Sequence, residues 1–358
     1  MDHADSLYLQ RLCASLRPQL SLPFEEIAVP VDRDLANFAV HRHRVGPLLY
    51  KAAQHFPKID NAADLILVQS YEKNLRAILM QKAASKRLTI LLQSHSIPFS
   101  FLKGLGLANQ IYSDPSTRQS KDIDILISPE SSESAIRLFN ESGYIFKSYS
   151  FKPNRPVRLS RQLWDIRQFK DLTFVDPKFA TQIELHQRLF KAEPENFTSD
   201  LGASFKVETY PSITDCHYSL YFILHGALTL WSRLKWVVDL SLLVRAMPSP
   251  DRWQLVDLAK TYGCEAAVIA SVQLADEMFP GSLDDEWLLI LADRGNRKSV
   301  RKIFNLFYET LATSSAENSS LPNRQSTFFD VAPLIFGKQI AIPKLIWRRL
   351  LVSLSIRV

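Results

Sequence analysis

The stretch that decides the fold is Lys121-Asp122-Ile123-Asp124-Ile125-Leu126-Ile127. Branched apolar residues favour a β-strand, and side chains alternate across a strand, so Asp122 and Asp124 share one face and the isoleucines share the other. Two carboxylates this close repel each other unless a cation lies between them, and hard divalent cations prefer oxygen ligands. The stretch therefore predicts a buried strand with a metal site on its polar face. Similar pairs also occur where a strand simply ends at the solvent. The surrounding sequence is needed to distinguish a metal site from such a strand end.

Composition and charge indicate the class of protein. The chain has 358 residues, 46% of them hydrophobic and 22% charged, as in a globular protein large enough for two or three domains. Its longest uncharged apolar stretch, residues 218–232, is shorter than the roughly 20 residues that span a bilayer, and the N-terminus has no signal-peptide pattern. We therefore expect a cytoplasmic protein without a transmembrane segment. The net charge of +6 suits an anionic ligand, either a nucleotide or a nucleic acid.

Hydrophobic periodicity divides the chain into three regions. Residues 1–95 are predicted to be a helical region, because apolar residues recur there at helical spacing. Residues 96–190 are predicted to form a small α/β core, and residues 191–358 a helical domain. A linker rich in Ser and Asn at 314–326 and a basic helix at 344–358 are predicted within the last region. The predicted fold class is therefore α+β, a small mixed sheet flanked by N-terminal and C-terminal helical regions.

Within the core region, short strands and helices alternate between prolines and glycines. A short helix is predicted after the first strand, and another begins at Pro129 and is closed by Gly143. The last two strands, separated by Asp176-Pro177-Lys178, are expected to pair with each other. The predicted strands lie at residues 99–102, 122–127, 144–149, 172–175 and 181–186.

Three features of the core region point to one chemistry. Glu184 lies between two apolar residues on a predicted strand, so it points away from the core and can join Asp122 and Asp124 as a third carboxylate. Three carboxylates can hold two Mg²⁺ ions, an arrangement suited to attack of a hydroxyl on a nucleoside triphosphate. Gly104 follows the first strand and precedes a helix, which lets backbone N–H groups approach phosphate oxygens.

The order of these motifs resembles a known family. Its blocks are Phe101-Leu102-Lys103-Gly104, Ile111-Tyr112-Ser113-Asp114-Pro115, the Asp-Ile-Asp strand, Ile183-Glu184-Leu185-His186 and a later block from His225 to Leu240. Together they resemble the nucleotidyltransferase fold of the DNA polymerase β superfamily, and within it a bacterial branch of nucleotidyltransferase family proteins. The resemblance implies that Asp122, Asp124 and Glu184 bind metal and act in catalysis.

The resemblance also implies that Gly104 and its neighbours hold the triphosphate, but the sequence departs from the superfamily at this point. Gly-Ser or Gly-Gly usually follows the first strand, whereas here Gly104 is followed by Leu105. A phosphate-binding hydroxyl is therefore missing. Lys103, directly before the glycine, is the candidate to supply positive charge in its place.

Further candidates for contact with the nucleotide are basic residues outside this turn. Arg118 and Lys121 lie in the loop before the Asp-Ile-Asp strand, and Arg233 and Lys235 lie in a later helical region that could close over the nucleotide. Each is also compatible with an ordinary surface or loop charge. His186 is expected to hydrogen-bond to a metal ligand rather than to bind Mg²⁺ directly, because Mg²⁺ prefers oxygen.

The function that the resemblance implies is Mg²⁺-dependent transfer of an NMP from an NTP to an acceptor hydroxyl or phosphate, with release of pyrophosphate. Two Mg²⁺ ions are expected, with Mn²⁺ as a replacement. A small molecule or a peptide is favoured over nucleic acid as the acceptor, but nothing in the sequence selects it, the NTP or the oligomeric state. Two alternatives stay open: a toxin-like enzyme of the same fold that modifies tRNA or protein, and a catalytically inactive nucleotide-binding or scaffold protein.

Overall fold

A computed structural model describes residues 3–24, 31–55, 59–147, 157–205, 210–313 and 331–340. The predicted linker at 314–326 and the predicted basic helix at 344–358 lie outside these ranges. Helices and one five-stranded mixed sheet make up the described residues, which confirms the predicted α+β class with helical flanks. None of the helices in these ranges combines the length and apolar character needed to cross a membrane. The cytoplasmic location stays a prediction.

The helices of the described residues are named in chain order. A π-helix, Phe38–His43, follows α2, and residues 331–336 are also helical. Their bounds are α1 His3–Leu16, α2 Arg33–Asn37, α3 Gly46–Ala53, α4 Asn61–Ser94, α5 Leu105–Ile111, α6 Ser132–Glu141, α7 Leu159–Gln168, α8 Phe197–Ser204, α9 Cys216–Leu228, α10 Leu234–Ala246, α11 Ser249–Thr261, α12 Glu265–Met278, α13 Asp285–Arg294 and α14 Lys298–Ala312.

The sheet has the strand order β1-β2-β5-β4-β3. Strands β2 and β5 are parallel, and every other neighbouring pair is antiparallel. The expected pairing of the last two strands is confirmed, since β4 and β5 are hydrogen-bonded neighbours. The bounds of the strands are β1 Phe99–Phe101, β2 Asp122–Ile127, β3 Ile145–Lys147, β4 Asp171–Val175 and β5 Gln182–His186.

Apolar side chains on one face of the sheet form the hydrophobic core of this region. The isoleucines of β2 are buried there with apolar residues of the other strands, and the cluster is completed by the second half of α4 and by α6 and α7. Burial of these side chains is the main favourable contribution to folding of this region. The opposite face carries the polar residues of β2 and β5, because side chains alternate along each strand.

The described residues fall into two compact units that interleave along the chain. The first is drawn from Met1–Arg76, Ala108–Gln119 and Ile213–Ile335, and the second, which contains the sheet, from Ala77–Leu107, Ser120–Ser212 and Phe336–Val358. The linear division at residues 95 and 190 stays a prediction.

The first unit is helical and has its own core. Helix α12 packs against α9, α10 and α14. Trp231 is fully buried and donates from Nε1 to Oγ of Ser271 at 2.9 Å, as expected for a core tryptophan with a satisfied N–H. Gly226 allows this packing, because a Cβ at that position would lie 2.2 Å from the Trp231 ring.

Candidate carboxylate and lysine site

The register of the sheet brings two of the predicted carboxylates side by side. Asp124 on β2 lies opposite Glu184 on the parallel strand β5, and Asp122 lies opposite Gln182. The Glu184 strand is therefore a hydrogen-bonded neighbour of the Asp-Ile-Asp strand, which is the arrangement in which Glu184 can join the two aspartates. On the next strand Thr173 faces Glu184 and Asp171 faces His186, so the polar face continues onto β4.

Asp124 is the most buried carboxylate of this face, with 1% of its surface exposed. Its Oδ1 accepts a hydrogen bond from Nε2 of His186 at 3.0 Å and lies 3.1 Å from Nζ of Lys103. Burial acts to raise the pKa of Asp124, but the Lys103 ammonium and the His186 hydrogen bond outweigh it and hold this pKa well below its ordinary value. Asp124 is therefore a carboxylate held in its charged form inside the protein.

Lys103 is the counter-ion of this carboxylate group. Burial acts to lower the pKa of its ammonium, but Asp124, Asp122 and Glu184 together raise it above the ordinary value. The turn that carries it is fixed, because the N–H of Leu102 donates to the carbonyl oxygen of Asp124 at 3.0 Å. The ammonium thus occupies a position where a cation between the carboxylates is electrostatically favoured.

Gly104 makes the turn that follows Lys103. Its φ of +85° lies in the left-handed region that side chains with a Cβ rarely adopt, and a Cβ there would lie 3.3 Å from Oγ of Ser120. The helix that follows, α5, has seven residues. Gly104 itself is buried and Lys103 beside it is half-buried, so the lysine is the part of this turn that a phosphate could reach.

The residues present fit a divalent metal ion. Ligand atoms of Asp124, Glu184 and His186 all lie within 4.8 Å of one another. Oδ2 of Asp124 is buried and has no hydrogen-bond partner among the described residues, which is unusual for a buried charged atom and leaves it available as a ligand. The group contains His186 where the sequence predicted Asp122, which is half-buried one position further along the same face. The direct ligand role of Asp122 stays a prediction.

His186 contacts the carboxylates as the sequence predicted for a supporting residue. Besides its hydrogen bond to Asp124, its Nε2 lies 3.5 Å from Oε2 of Glu184, and its Nδ1 lies 4.0 Å from Oδ2 of Asp171. Burial and the nearby Lys170 act to lower the pKa of His186, but the hydrogen bonds to Asp124 and Glu184 raise it above its ordinary value. Such a bond fixes the orientation of the carboxylate that it contacts.

Sequence reasoning missed two further lysines at this site, Lys170 and Lys191. Nζ of Lys170 lies 2.5 Å from Oδ2 of Asp171, at the start of β4. Lys191 has Lys170, Asp171 and Glu184 as charged neighbours. Neither lysine belongs to a recognisable motif, and only the pairing of β4 with β5 brings Lys170 next to the end of β5.

The remaining candidates for nucleotide contact are placed differently. Lys121 is exposed at the start of β2. In the first unit, the guanidinium of Arg118 is buried and makes two hydrogen bonds to Asp239, at 2.8 and 2.9 Å. Lys235 donates from Nζ to the carbonyl oxygen of Gln119 at 2.8 Å. The structure gives Arg118 a structural role that the sequence did not predict, and its contact with phosphate stays a prediction.

Arg233 caps the start of α10 and stacks against Trp236, with its guanidinium carbon 5.9 Å from the ring centroid. Its Nη1 is buried and has no hydrogen-bond partner within the part of the chain that the structure describes. A buried donor in this state is compatible with an anionic ligand. Contact of Arg233 and Lys235 with phosphate stays a prediction.

Comparison with protein families gives one match, which covers most of the chain. The sequence model of the uncharacterised nucleotidyltransferase family matches residues 30–280, which is more than half of the chain and includes all the residues of the carboxylate site. The chain belongs to this family. The general reaction of such a nucleotidyltransferase is transfer of a nucleotidyl group from an NTP. Comparisons with curated proteins and with solved structures give no match.

Proposed function

We propose that this nucleotidyltransferase is an active Mg²⁺-dependent enzyme whose centre is formed by Asp122, Asp124 and Glu184. It transfers an NMP from an NTP to an acceptor hydroxyl or phosphate. The observation that carries the proposal is the orphaned buried oxygen of Asp124, placed beside Glu184 in a group of ligands within 4.8 Å. A buried carboxylate oxygen without a partner is costly, and a metal ion would satisfy it.

The reaction is a single displacement at phosphorus. An acceptor oxygen forms a bond to the α-phosphorus, and the bond from that phosphorus to the bridging oxygen breaks. Pyrophosphate leaves with the electron pair, and the acceptor proton passes to solvent. The divalent cation, when bound, lowers the pKa of the attacking hydroxyl and neutralises charge on the triphosphate. Two ions, either Mg²⁺ or Mn²⁺, are proposed, as the sequence predicts.

The residues of the chain divide the remaining tasks. His186 orients Asp124 through the hydrogen bond at 3.0 Å. Lys103 supplies a positive charge at the turn formed by Gly104, where the triphosphate is proposed to bind. Lys103 pairs with Asp124, and we propose that its ammonium moves from the carboxylate to the triphosphate when the metal and the NTP bind together.

The test is thermal stabilisation by nucleotide and metal. Each of the four NTPs is added to the full chain with Mg²⁺ or Mn²⁺, because a ligand that binds the native state raises its melting temperature. One NTP is expected to stabilise the wild type in a metal-dependent way and to have no such effect on Asp124→Asn. Incubation with α-labelled NTPs and separate small-molecule, peptide and RNA fractions then identifies the acceptor, for which we propose a small molecule or a peptide.

A second candidate function is supported by one observation. Lys103 already fills the cation position beside Asp124, at 3.1 Å, and this is what a nucleotide-binding protein without catalysis would show. That protein would be stabilised by an NTP without metal and would transfer no label to any fraction. Absence of stabilisation by all four NTPs, with and without metal, would contradict both candidates.

A further inference from the structure

The charged residues along the sheet indicate where the acceptor of the proposed reaction binds. The triphosphate turn at Lys103 and Gly104 follows β1, and the carboxylates lie on β2 and β5, the next two strands of the sheet. Lys170 directly precedes β4, the strand beyond them. From β1 to β4 there are three strand spacings, about 14 Å at the usual separation. The backbones of Lys103 and Lys170 therefore lie on opposite sides of the two strands that carry the carboxylates.

The register also places Lys103 and Lys170 near opposite ends of these strands. Strand β1 runs antiparallel to β2, so the turn after Phe101 lies near Asp122, at the beginning of β2. Asp171, next to Lys170, pairs with His186 at the end of β5. The carbonyl oxygen of Lys170 accepts from the N–H of Gln187 at 3.0 Å, which fixes it beside the residues that follow β5.

In nucleotidyl transfer the attacking and leaving oxygens are roughly in line with the phosphorus between them. If the pyrophosphate leaves toward the turn at Gly104, the acceptor has to approach from the opposite side. That side is where Lys170 lies, paired with Asp171 at the start of β4, and Lys191 has Lys170 and Asp171 as charged neighbours. An acceptor bound there meets ammonium groups before it reaches the carboxylates.

We propose that Lys170 and Lys191 bind a phosphate group carried by the acceptor. This proposal rests on the proposed function, because it takes the position of the triphosphate from it. The phosphate either attacks the α-phosphorus itself or lies next to the attacking hydroxyl, and the covalent change is the displacement described above.

The charges around the two lysines support an anionic ligand. Lys170 pairs with Asp171. Burial acts to lower the pKa of its ammonium, but Asp171 and Glu184 raise it above the ordinary value. At Lys191 burial and the nearby Lys170 outweigh Asp171 and Glu184, so the pKa of its ammonium is lowered below the ordinary value. A phosphate dianion beside the two lysines would favour both ammonium charges, and lysine is a common ligand of phosphate.

The binding test uses inorganic phosphate as the probe. Calorimetry measures its affinity for the full chain in the presence of Mn²⁺ and a non-hydrolysable analogue of the stabilising NTP. Lys170→Met and Lys191→Met are each expected to weaken phosphate binding about tenfold or more, because each removes a charge-assisted contact. The affinity for the NTP analogue should stay within about twofold, a change of less than 1 kcal/mol. Lys147→Met, at an exposed lysine of β3, is the matched control.

The transfer test asks whether the acceptor carries phosphate. Metabolite fractions are incubated with the α-labelled NTP before and after treatment with a phosphatase that is then removed. Labelled product is expected only from untreated fractions, and Lys170→Arg should retain more transfer than Lys170→Met. Lys191→Met, at a half-buried position, keeps the test decisive if loss of the Lys170 ion pair impairs folding.

The failures of the two proposals are distinguishable. Equal loss of affinity for phosphate and for the NTP analogue would assign the lysines to the triphosphate and overturn this inference alone. Unchanged phosphate binding in both variants, or equal labelling after phosphatase treatment, would also overturn it alone. Absence of any NTP-dependent stabilisation in the wild type would overturn the proposed function, and this inference with it.

Discussion

Nζ of Lys103 lies 3.1 Å from Oδ1 of Asp124, on an ammonium that is largely buried and a carboxylate that is fully buried. A cation of the chain therefore occupies the place beside the carboxylates that a metal ion would share. Lys103 pairs with Oδ1, whereas Oδ2 of the same carboxylate has no hydrogen-bond partner among the described residues. A metal ion at Oδ2 would be repelled by this ammonium, so we expect Lys103 to weaken metal binding when no nucleotide is present.

Replacement of Lys103 by Met is expected to strengthen Mn²⁺ binding to the nucleotide-free protein and to weaken NTP binding. The first effect follows from removal of the repelling ammonium, and the second from loss of a positive charge at the triphosphate. Each change should be about tenfold, since a hydrogen bond to a charged group contributes about 1.5–3 kcal/mol. Titration calorimetry with Mn²⁺ alone, and then with an NTP analogue, measures both effects.

Lys86→Met is the control for this experiment, because Lys86 is an exposed lysine of α4 in the same compact unit. It should change neither affinity. Weaker Mn²⁺ binding in Lys103→Met than in the wild type would contradict this repulsion and show that Lys103 supports the metal site.

The ion pair between Arg118 and Asp239 is expected to stabilise the fold. Both side chains are buried, and their two hydrogen bonds join residues 121 positions apart. Replacement of one partner, as in Arg118→Met, should lower the free energy of unfolding by about 3–5 kcal/mol, because the other charge is left buried and uncompensated. Urea unfolding measures this loss, and the double variant Arg118→Met/Asp239→Leu should lose less than the sum of the single variants.

The exposed pair of Arg137 and Glu133 provides the comparison, since both side chains are about half exposed. Arg137→Met should change stability by no more than about 0.5 kcal/mol. If Arg118→Met instead kept its stability and lost NTP affinity, Arg118 would be a nucleotide ligand as the sequence suggested.

The conformation of Gly104 predicts that substitution by alanine lowers the free energy of unfolding, and this effect can be separated from any effect on nucleotide binding. Gly104 has φ +85° and Gly143 has φ +78°, so alanine is strained at both positions. Each substitution should lower the free energy of unfolding by about 1–3 kcal/mol. Because a Cβ at Gly143 meets nothing within 4 Å, Gly143→Ala isolates the backbone strain.

Only Gly104→Ala is expected to weaken NTP binding as well, by narrowing the approach of phosphate to the backbone. Thermal melts with and without NTP and metal distinguish the two effects. Equal nucleotide-dependent stabilisation in the wild type and in Gly104→Ala would exclude this turn from the triphosphate site.

The three cysteines should differ in reactivity. Burial raises the pKa of the Cys13 and Cys264 thiols to about 12, so both stay protonated well above neutral pH. Burial also raises the pKa of Cys216, but that residue is half-buried. Because the thiolate is the nucleophile, a raised pKa lowers reactivity at any pH below it.

At pH 8 a thiol reagent is therefore expected to label Cys216 alone in the native protein and all three cysteines in denaturant. Mass spectrometry of the labelled peptides identifies the sites. Rapid native labelling of Cys13 or Cys264 would show that the helical unit opens around α1 or α12.

Local patterns were sufficient for much of the secondary structure. No glycine or proline lies between Asn61 and His95, and the apolar spacing there predicts one long helix or two helices nearly in line. The structure has one continuous helix, α4. Apolar spacing predicts helices at 234–246, 253–262 and 265–278. Helices α10 and α12 have the predicted bounds, and α11 begins four residues before the predicted start, at Ser249. Helix α7 was missed, although its few apolar residues recur at helical spacing, because its ten residues are mostly polar.

The sequence by itself determined that Asp122 and Asp124 share one face of a strand, because alternation along a strand is a local property of the backbone. It also determined the family-like order of Gly104, the Asp-Ile-Asp strand and Glu184. Only the tertiary structure decided that Asp124 pairs in register with Glu184, that Lys103 lies against Asp124, and that Lys170 flanks them from the far side. Those contacts join residues that are distant along the chain, so they depend on strand order and packing rather than on any local pattern.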